Sequence, residues 1–305
     1  MAIRPADHGI FASAVAAVSY AGYFGGGSNS GTTVDRFAFA DDSRTTLGTG
    51  LSGATNDLAA MANSGTAGYF GGGNSGGLTA TVNRFLFADD SRTTLGTGLS
   101  AARQGLAGMA NSGTAGYFGG GNTSGTTVDK FAFADDSRTT LGTGLSGAVS
   151  YPGAMANSGT AGYFGGGNTG SRVATVDKFA FSDDSRTTLG TGLSSTRDAL
   201  AGMANSGTAG YFGGGYSPNT ATVDKFAFSD DSRTTLGTGL SVARRYPGGM
   251  ANSGTAGYFG GGWVDDPVAT VDKFAFPSDS RSTLGTGLSV ARAGLAGMAN
   301  TAGLA

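Results

Sequence analysis

The chain has 305 residues, a formal net charge of −2, and 58 glycines against only 13% charged residues. It holds no cysteine and a single histidine, His8, which excludes a disulfide framework, a thiolate metal site and a multi-histidine zinc or copper site. Near-neutral charge offers no basic footprint for nucleic acid, and no apolar run reaches the roughly 18 residues of a spanning helix.

In chain order, residues 1–18 match nothing that follows. They read as an arm that docks as a strand or meets a partner. A leader peptide is disfavoured by Asp7 and the shortness of the apolar stretch. From there a repeat takes over. Gly-Tyr-Phe-Gly-Gly-Gly occurs six times, at Tyr23, Tyr69, Tyr117, Tyr163, Tyr211 and Tyr258, spaced 46 to 48 residues apart. Thr-Leu-Gly-Thr-Gly-Leu-Ser also occurs six times, at Leu47, Leu95, Leu141, Leu189, Leu236 and Leu284. Glycine at every third residue, the collagen signature, is absent, and the regular Phe, Tyr, Val and Leu argue against a flexible linker.

One unit, residues 103–146, predicts four strands. Leu106 to Ala110 is a short apolar run, and Asn111-Ser112-Gly113 is a hairpin signal because Asn and Gly tolerate positive φ. Thr114 to Gly119 is the second strand, residues 122–125 a variable loop, and Thr127 to Phe133 the third strand. A turn at 134–137 leads to a fourth strand from Arg138 to Gly144. Four antiparallel strands at this period make a propeller blade. The expected fold is therefore all-β: a six-bladed propeller over residues 19–305, with residues 1–18 outside it. The last segment, residues 290–300, supplies a first strand without a second, so the C-terminal strand is expected to close the ring and hide two sheet edges.

The units resemble kelch repeats. The residues that carry this are the glycines closing the second strand (Gly119, Gly120), the aromatic that follows (Phe131), and the arginine before the first strand (Arg103, Arg197, Arg244, Arg292). Thr55 and Val149 stand at the arginine position in two units, and the usual tryptophan is missing. More narrowly, Thr175 to Phe179, the Leu-Ser-x-x-Arg segment and the glycine triplet look like the glycine-rich kelch-like proteins of bacterial and cyanobacterial viruses. That resemblance implies a virion structural protein, located in a tail or appendage and engaged in receptor binding.

In such a blade two kinds of connection lie on one face: second to third strand, and fourth strand to the next blade. Here these differ in every unit, with Asn29, Leu78, Thr123, Arg172, Tyr216 and Trp263 in one set, and Asp57, Gln104, Tyr151, Asp198 and Arg245 in the other. Variable loops on a rigid scaffold suit a binding face. The candidate site combines aromatic and charged residues of the fifth and sixth units, Tyr216, Arg244, Arg245, Tyr246, Trp263, Asp265 and Asp266, with Arg172 from the unit before them. The opposite face repeats Asn-Ser-Gly-Thr and an Asp-Asp-Ser-Arg type of turn, which carries eleven aspartates over the six units. Calcium is a possible reading of those aspartates, but the alternating ligand spacing is lacking. An Asx turn with a local Asp–Arg pair explains them more simply.

Catalysis is not expected. His8 lies outside the repeats and the aspartate pairs recur in every unit as scaffold residues do. No cofactor and no metal are expected. The expected partners are other virion or surface proteins, met through the arm and the propeller faces, and host glycans; neither nucleic acid nor a membrane span is expected. The alternatives are a secreted or cell-surface carbohydrate-binding lectin and, less favoured, a glycosidase-like enzyme.

Overall fold

The computed structural model describes residues 20–29, 31–123 and 125–301. The arm at 1–18, with His8, lies outside them. Among the described residues there are strands and no helix, so no helix is long and apolar enough to cross a membrane.

Six four-stranded antiparallel sheets are present. The first blade is built from β1 (Ala21–Gly25), β2 (Val34–Ala38), β3 (Arg44–Thr46) and the last strand, β24 (Ala296–Asn300), in the order β24-β1-β2-β3. The second holds β4 (Ala59–Asn63), β5 (Ala67–Gly71), β6 (Val82–Leu86) and β7 (Arg92–Thr94). The third holds β8 (Leu106–Asn111), β9 (Ala115–Gly120), β10 (Val128–Ala132) and β11 (Arg138–Thr140). The fourth holds β12 (Gly153–Asn157), β13 (Ala161–Gly165), β14 (Val176–Ala180) and β15 (Arg186–Thr188). The fifth holds β16 (Ala201–Asn205), β17 (Ala209–Gly213), β18 (Val223–Ala227) and β19 (Arg233–Thr235). The sixth holds β20 (Gly248–Asn252), β21 (Ala256–Gly260), β22 (Val271–Ala275) and β23 (Ser280–Thr283). The C-terminal strand closes the ring as expected: β24 pairs with β1 from Ala21 opposite Asn300 to Gly25 opposite Ala296.

The innermost strands β24, β4, β8, β12, β16 and β20 surround the axis, each touching the next. Small residues allow this. A side chain at Gly108 would strike the Ala60 carbonyl, one at Gly202 the Ala154 carbonyl, and one at Gly297 the Gly249 carbonyl. Between blades, glycines act as holes for a neighbour's side chain. Phe70 of the second blade fills the space a Cβ would need at Gly25 of the first, and Met298 does the same at Gly68. Aromatic pairs tie the layers together: Phe24 meets Phe37 edge-on within a blade, while Tyr23 stacks on Phe87 across blades at 5.4 Å.

The fourth strand is shorter than expected. It stops at Thr140, not Gly144, because the chain then bows out of the ladder: the Leu141 amide still donates to the Val128 carbonyl, but the next such bond is from the Leu145 amide to the Thr126 carbonyl, with Gly144 against Thr126. The turn aspartates also behave differently from the expected local Asp–Arg pair. The first of each pair does form an Asx turn, with the Ser43 amide donating to Asp41 at 3.0 Å. The second reaches the preceding blade. Asp279 accepts from the Tyr211 hydroxyl and the Lys225 ammonium, each at 2.7 Å, and Tyr117 and Lys130 meet Asp184 in the same way.

Four blades bury an ion pair. Arg103 meets Asp129 at 2.9 Å, Arg197 meets Asp224 at 2.8 Å, Arg244 meets Asp272 at 3.0 Å and Arg292 meets Asp35 at 2.9 Å, with both side chains 0% exposed. Burial alone would raise the Asp129 carboxyl, but the Ser100 amide, the Thr140 hydroxyl and Arg103 together hold it below the usual carboxylate range. The arginine stem fills the space over the third glycine of the triplet, as Arg103 does at Gly121. Where the arginine is Thr55, the partner aspartate is Asn83, whereas Val149 leaves Asp177 in place.

Candidate functional site: the variable loop face

The loop face starts from backbone. One residue of each connection into a blade pairs with one residue just past that blade's glycine triplet. The pairs are Ala293 with Ser28, Asn56 with Asn74, Gln104 with Asn122, Ser150 with Asn168, Asp198 with Tyr216, and Arg245 with Trp263. The Trp263 amide, for instance, donates to the Arg245 carbonyl at 2.7 Å, and the Trp263 carbonyl accepts from the Arg245 amide in return. The scaffold is shared and the pair of residues on it differs in every blade, with asparagine recurring at 74, 122 and 168.

The next residue inward belongs to a ring around the axis. Asp57, Gly105, Tyr151, Ala199, Tyr246 and Gly294 each donate a backbone N–H to the carbonyl of the one before, closing a circle of six hydrogen bonds of 2.6 to 3.0 Å. All six have φ between 54° and 67°. That left-handed region suits glycine, and the non-glycine members hold it because neighbours on both sides bond them. Beneath the ring, Leu58, Leu106, Pro152, Leu200, Pro247 and Leu295 narrow the mouth, leaving a cavity of about 60 Å³.

Side chains then join ring and periphery. The Tyr151 and Tyr246 rings meet edge-on at 5.4 Å, and the Gln104 amide donates to the Tyr151 hydroxyl at 2.8 Å. Burial pushes the Asp57 carboxyl up to about 6, an effect that hydrogen bonding with Tyr151 offsets only in part. Burial likewise raises the Tyr246 hydroxyl to about 12, helped by Tyr151 and the nearby aspartates. Farther out, the Tyr216 ring is flanked by two guanidiniums, Arg172 at 4.3 Å and Arg245 at 4.6 Å from its centroid. Arg172 also binds Asp198 at 3.2 Å, and Arg245 lies 5.9 Å from the Tyr246 centroid. Asn219 holds the last loop by donating to the Trp263 and Val264 carbonyls.

The structure thus gathers Arg172, Tyr216, Arg245 and Tyr246 into one cluster, with the partly exposed Trp263 joined to Arg245 through its backbone. Asp265 and Asp266 are exposed at the tip of the Trp263 loop. Arg244 is corrected. It is 0% exposed, bound to Asp272 and to the Phe259 carbonyl, and so presents nothing to the face. Its apolar stem packs along Gly262, and its charge is met inside the blade. Asp57 and Tyr151 were outside the candidate set, although they occupy the same ring position as Tyr246. The signal was available, since each ring residue lies ten positions after the leucine of Thr-Leu-Gly-Thr-Gly-Leu-Ser.

The fold is a six-bladed β-propeller, one face of which carries loops that vary from blade to blade. A solved structure titled "Structure of YjhT" shares this fold with a TM-score of 0.67 at 13% identity, over 83% of this chain and 91% of that one. No protein-family model matches the chain, and no curated protein matches it by sequence.

Proposed function

We propose that this chain is a non-enzymatic binding propeller, a receptor-binding component of a phage virion carried on a tail or other appendage. The single observation behind the binding reading is the display scaffold. Six position pairs share a backbone bond from the post-triplet amide to the connection carbonyl, and no two blades carry the same pair of residues there, although asparagine recurs at 74, 122 and 168. Uniform backbone with varied side chains is how a rigid fold supports recognition. The virion placement rests on the resemblance of the repeat phrases, such as Thr175 to Phe179 and the glycine triplet, to glycine-rich kelch-like proteins of bacterial and cyanobacterial viruses. The raised carboxyl of Asp57 borders a cavity of about 60 Å³, far below the roughly 300–1,000 Å³ of small-molecule sites, which supports a role without chemistry.

A lectin reading is favoured by the cluster itself. Arg172 and Arg245 around Tyr216, beside Trp263, suit a sugar bearing a carboxylate. The test is a glycan array and host-cell binding with the purified chain, its Trp263→Ala and Arg245→Ala variants, and an antibody probe of purified virions. Virion labelling together with cell binding lost in both variants is the expected result. Glycan binding without any virion labelling would replace the phage reading with the lectin. Unchanged binding in both variants would overturn the loop-face assignment.

A further inference from the structure

The geometry points to a guanidinium-binding site inside the fourth blade, at the place where the repeat has lost its own arginine. In the first, third, fifth and sixth blades, Nη2 of the buried arginine reaches two acceptors. One is the strand aspartate, and the other is the carbonyl of the phenylalanine in the glycine-triplet strand: Phe24, Phe118, Phe212 and Phe259, at 3.0 to 3.4 Å. The fourth blade keeps both acceptors, Asp177 and Phe164, but carries Val149 at the arginine position.

A cavity of about 170 Å³ stands there. Leu145, Val173 and Phe164 form its apolar walls, Asp177 lies within, and Ser146 and Thr169 at its rim are exposed. That volume is comparable to the ~150 Å³ engineered cavity that admits a benzene ring, so a planar guanidinium with a short alkyl stem has room. Asp177 is 5% exposed. Its Oδ2 accepts from the Ser146 amide at 2.8 Å and hydroxyl at 2.9 Å, as Asp129 Oδ2 does from Ser100. Asp129 has the arginine as a third partner on that oxygen, and among the described residues Asp177 has none. Arg186 does not replace it, because it lies 3.8 Å from the other oxygen, Oδ1, where Arg138 and Arg281 also sit in arginine-bearing blades.

The second blade is an internal control. It too lacks the arginine and has a cavity, about 230 Å³, lined by Thr55 and Asn83. There the carboxylate has gone with the cation, so no buried charge is left to bind. Among the described residues, only the fourth blade pairs an arginine-sized opening with a buried carboxylate. A planar cation with paired donors fits such a site better than a compact ammonium. The ligand is therefore an alkylguanidinium, supplied either as a free small molecule or as an arginine side chain of another protein.

The test titrates the full chain with methylguanidinium, agmatine, methylammonium and a short peptide holding one arginine, read by calorimetry and thermal melting. Val149→Arg and Asp177→Asn are titrated in parallel. The expected result is millimolar or tighter binding of the guanidinium probes, at least tenfold weaker binding of methylammonium, and loss of binding in both variants. Val149→Arg is also expected to melt higher than the parent without ligand, which shows that its fold is intact and its cavity filled. Tighter binding of the peptide than of agmatine identifies a protein arginine as the source, and the reverse order identifies a small molecule. No binding of any guanidinium probe, or equal binding to parent and Val149→Arg, would overturn the site.

Discussion

The two faces of the ring are built from the same blades and put their polar groups to opposite use. On the turn face, side chains bond blade to blade. The Ser206 amide donates to the Ser253 hydroxyl, the Gly207 amide to Asn157, and each second turn aspartate takes the tyrosine and lysine or arginine of the blade before it. On the loop face, backbone does the blade-to-blade bonding, through the ring of Asp57, Gly105, Tyr151, Ala199, Tyr246 and Gly294. A face held by side chains keeps its residues the same in every unit. A face held by backbone leaves its side chains free to differ. Uniformity on the turn face is thus explained by side chains that hold the ring together, and variation on the loop face by a backbone that makes the ring bonds whatever the residue.

The largest expected effect separates neighbours in sequence. Arg244→Met strands the buried Asp272 carboxylate and is expected to cost about 3–5 kcal/mol in urea unfolding, while Arg245→Met stays within about 1 kcal/mol. Equal costs would erase the distinction between the structural arginine and the displayed one. Next, Tyr211→Phe removes a turn-face bond to a charged acceptor and is expected to cost about 1.5–3 kcal/mol.

The repeat tyrosines, Tyr211 among them, are held well above the usual phenol range by burial first, and then by their hydrogen-bonded aspartates. The unfolded chain releases these protons near pH 10, and the folded chain does so only higher. Their stabilisation is therefore intact below about pH 10 and lost above it. Phenolate absorbance from these residues should appear together with loss of β-sheet circular dichroism. Phenolate formation in a still-folded ring would contradict the burial.

A smaller effect probes the loop-face ring. The fold raises the Asp57 carboxyl from 3.8 to about 6, so it favours the neutral acid. That contribution is full below about pH 4 and is lost as pH rises through 6. Asp57→Asn cannot ionise, so its stability relative to the parent should improve from pH 4 to pH 8, by about 1–2 kcal/mol after allowing for partial exposure. A difference flat with pH would remove Asp57 from the buried ring. The smallest effect belongs to a single turn-face bond: Ser206→Ala removes the hydroxyl that accepts from the Ser158 amide at 3.1 Å and is expected to cost about 0.5–1.5 kcal/mol.

Much of the ring was legible in the chain itself. The period of 46 to 48 residues, the hairpin at Asn111 to Gly113 and the unpaired first-strand segment at 290–300 led to six blades and the right closure, because each depends on local turn chemistry and repetition. The loop face was legible as well, since units within one chain can be compared. Arg244 was misplaced because an arginine in a loop reads the same whether its charge meets water or a carboxylate 28 positions later. Asp57 and Tyr151 were underweighted because their meeting with Tyr246 spans nearly 200 residues and three blades.

The sequence by itself determined the number of blades, the strand order, the closing strand and the face that varies, for these follow from period, hydrophobic alternation and turn residues. Only the tertiary structure decided which arginines are buried, that the second turn aspartate reaches the neighbouring blade, and that the loss of one arginine leaves Asp177 beside an open cavity. The reason is physical: strands and turns are set by neighbours along the chain, whereas the partner of a charge is set by what the closed ring brings to it.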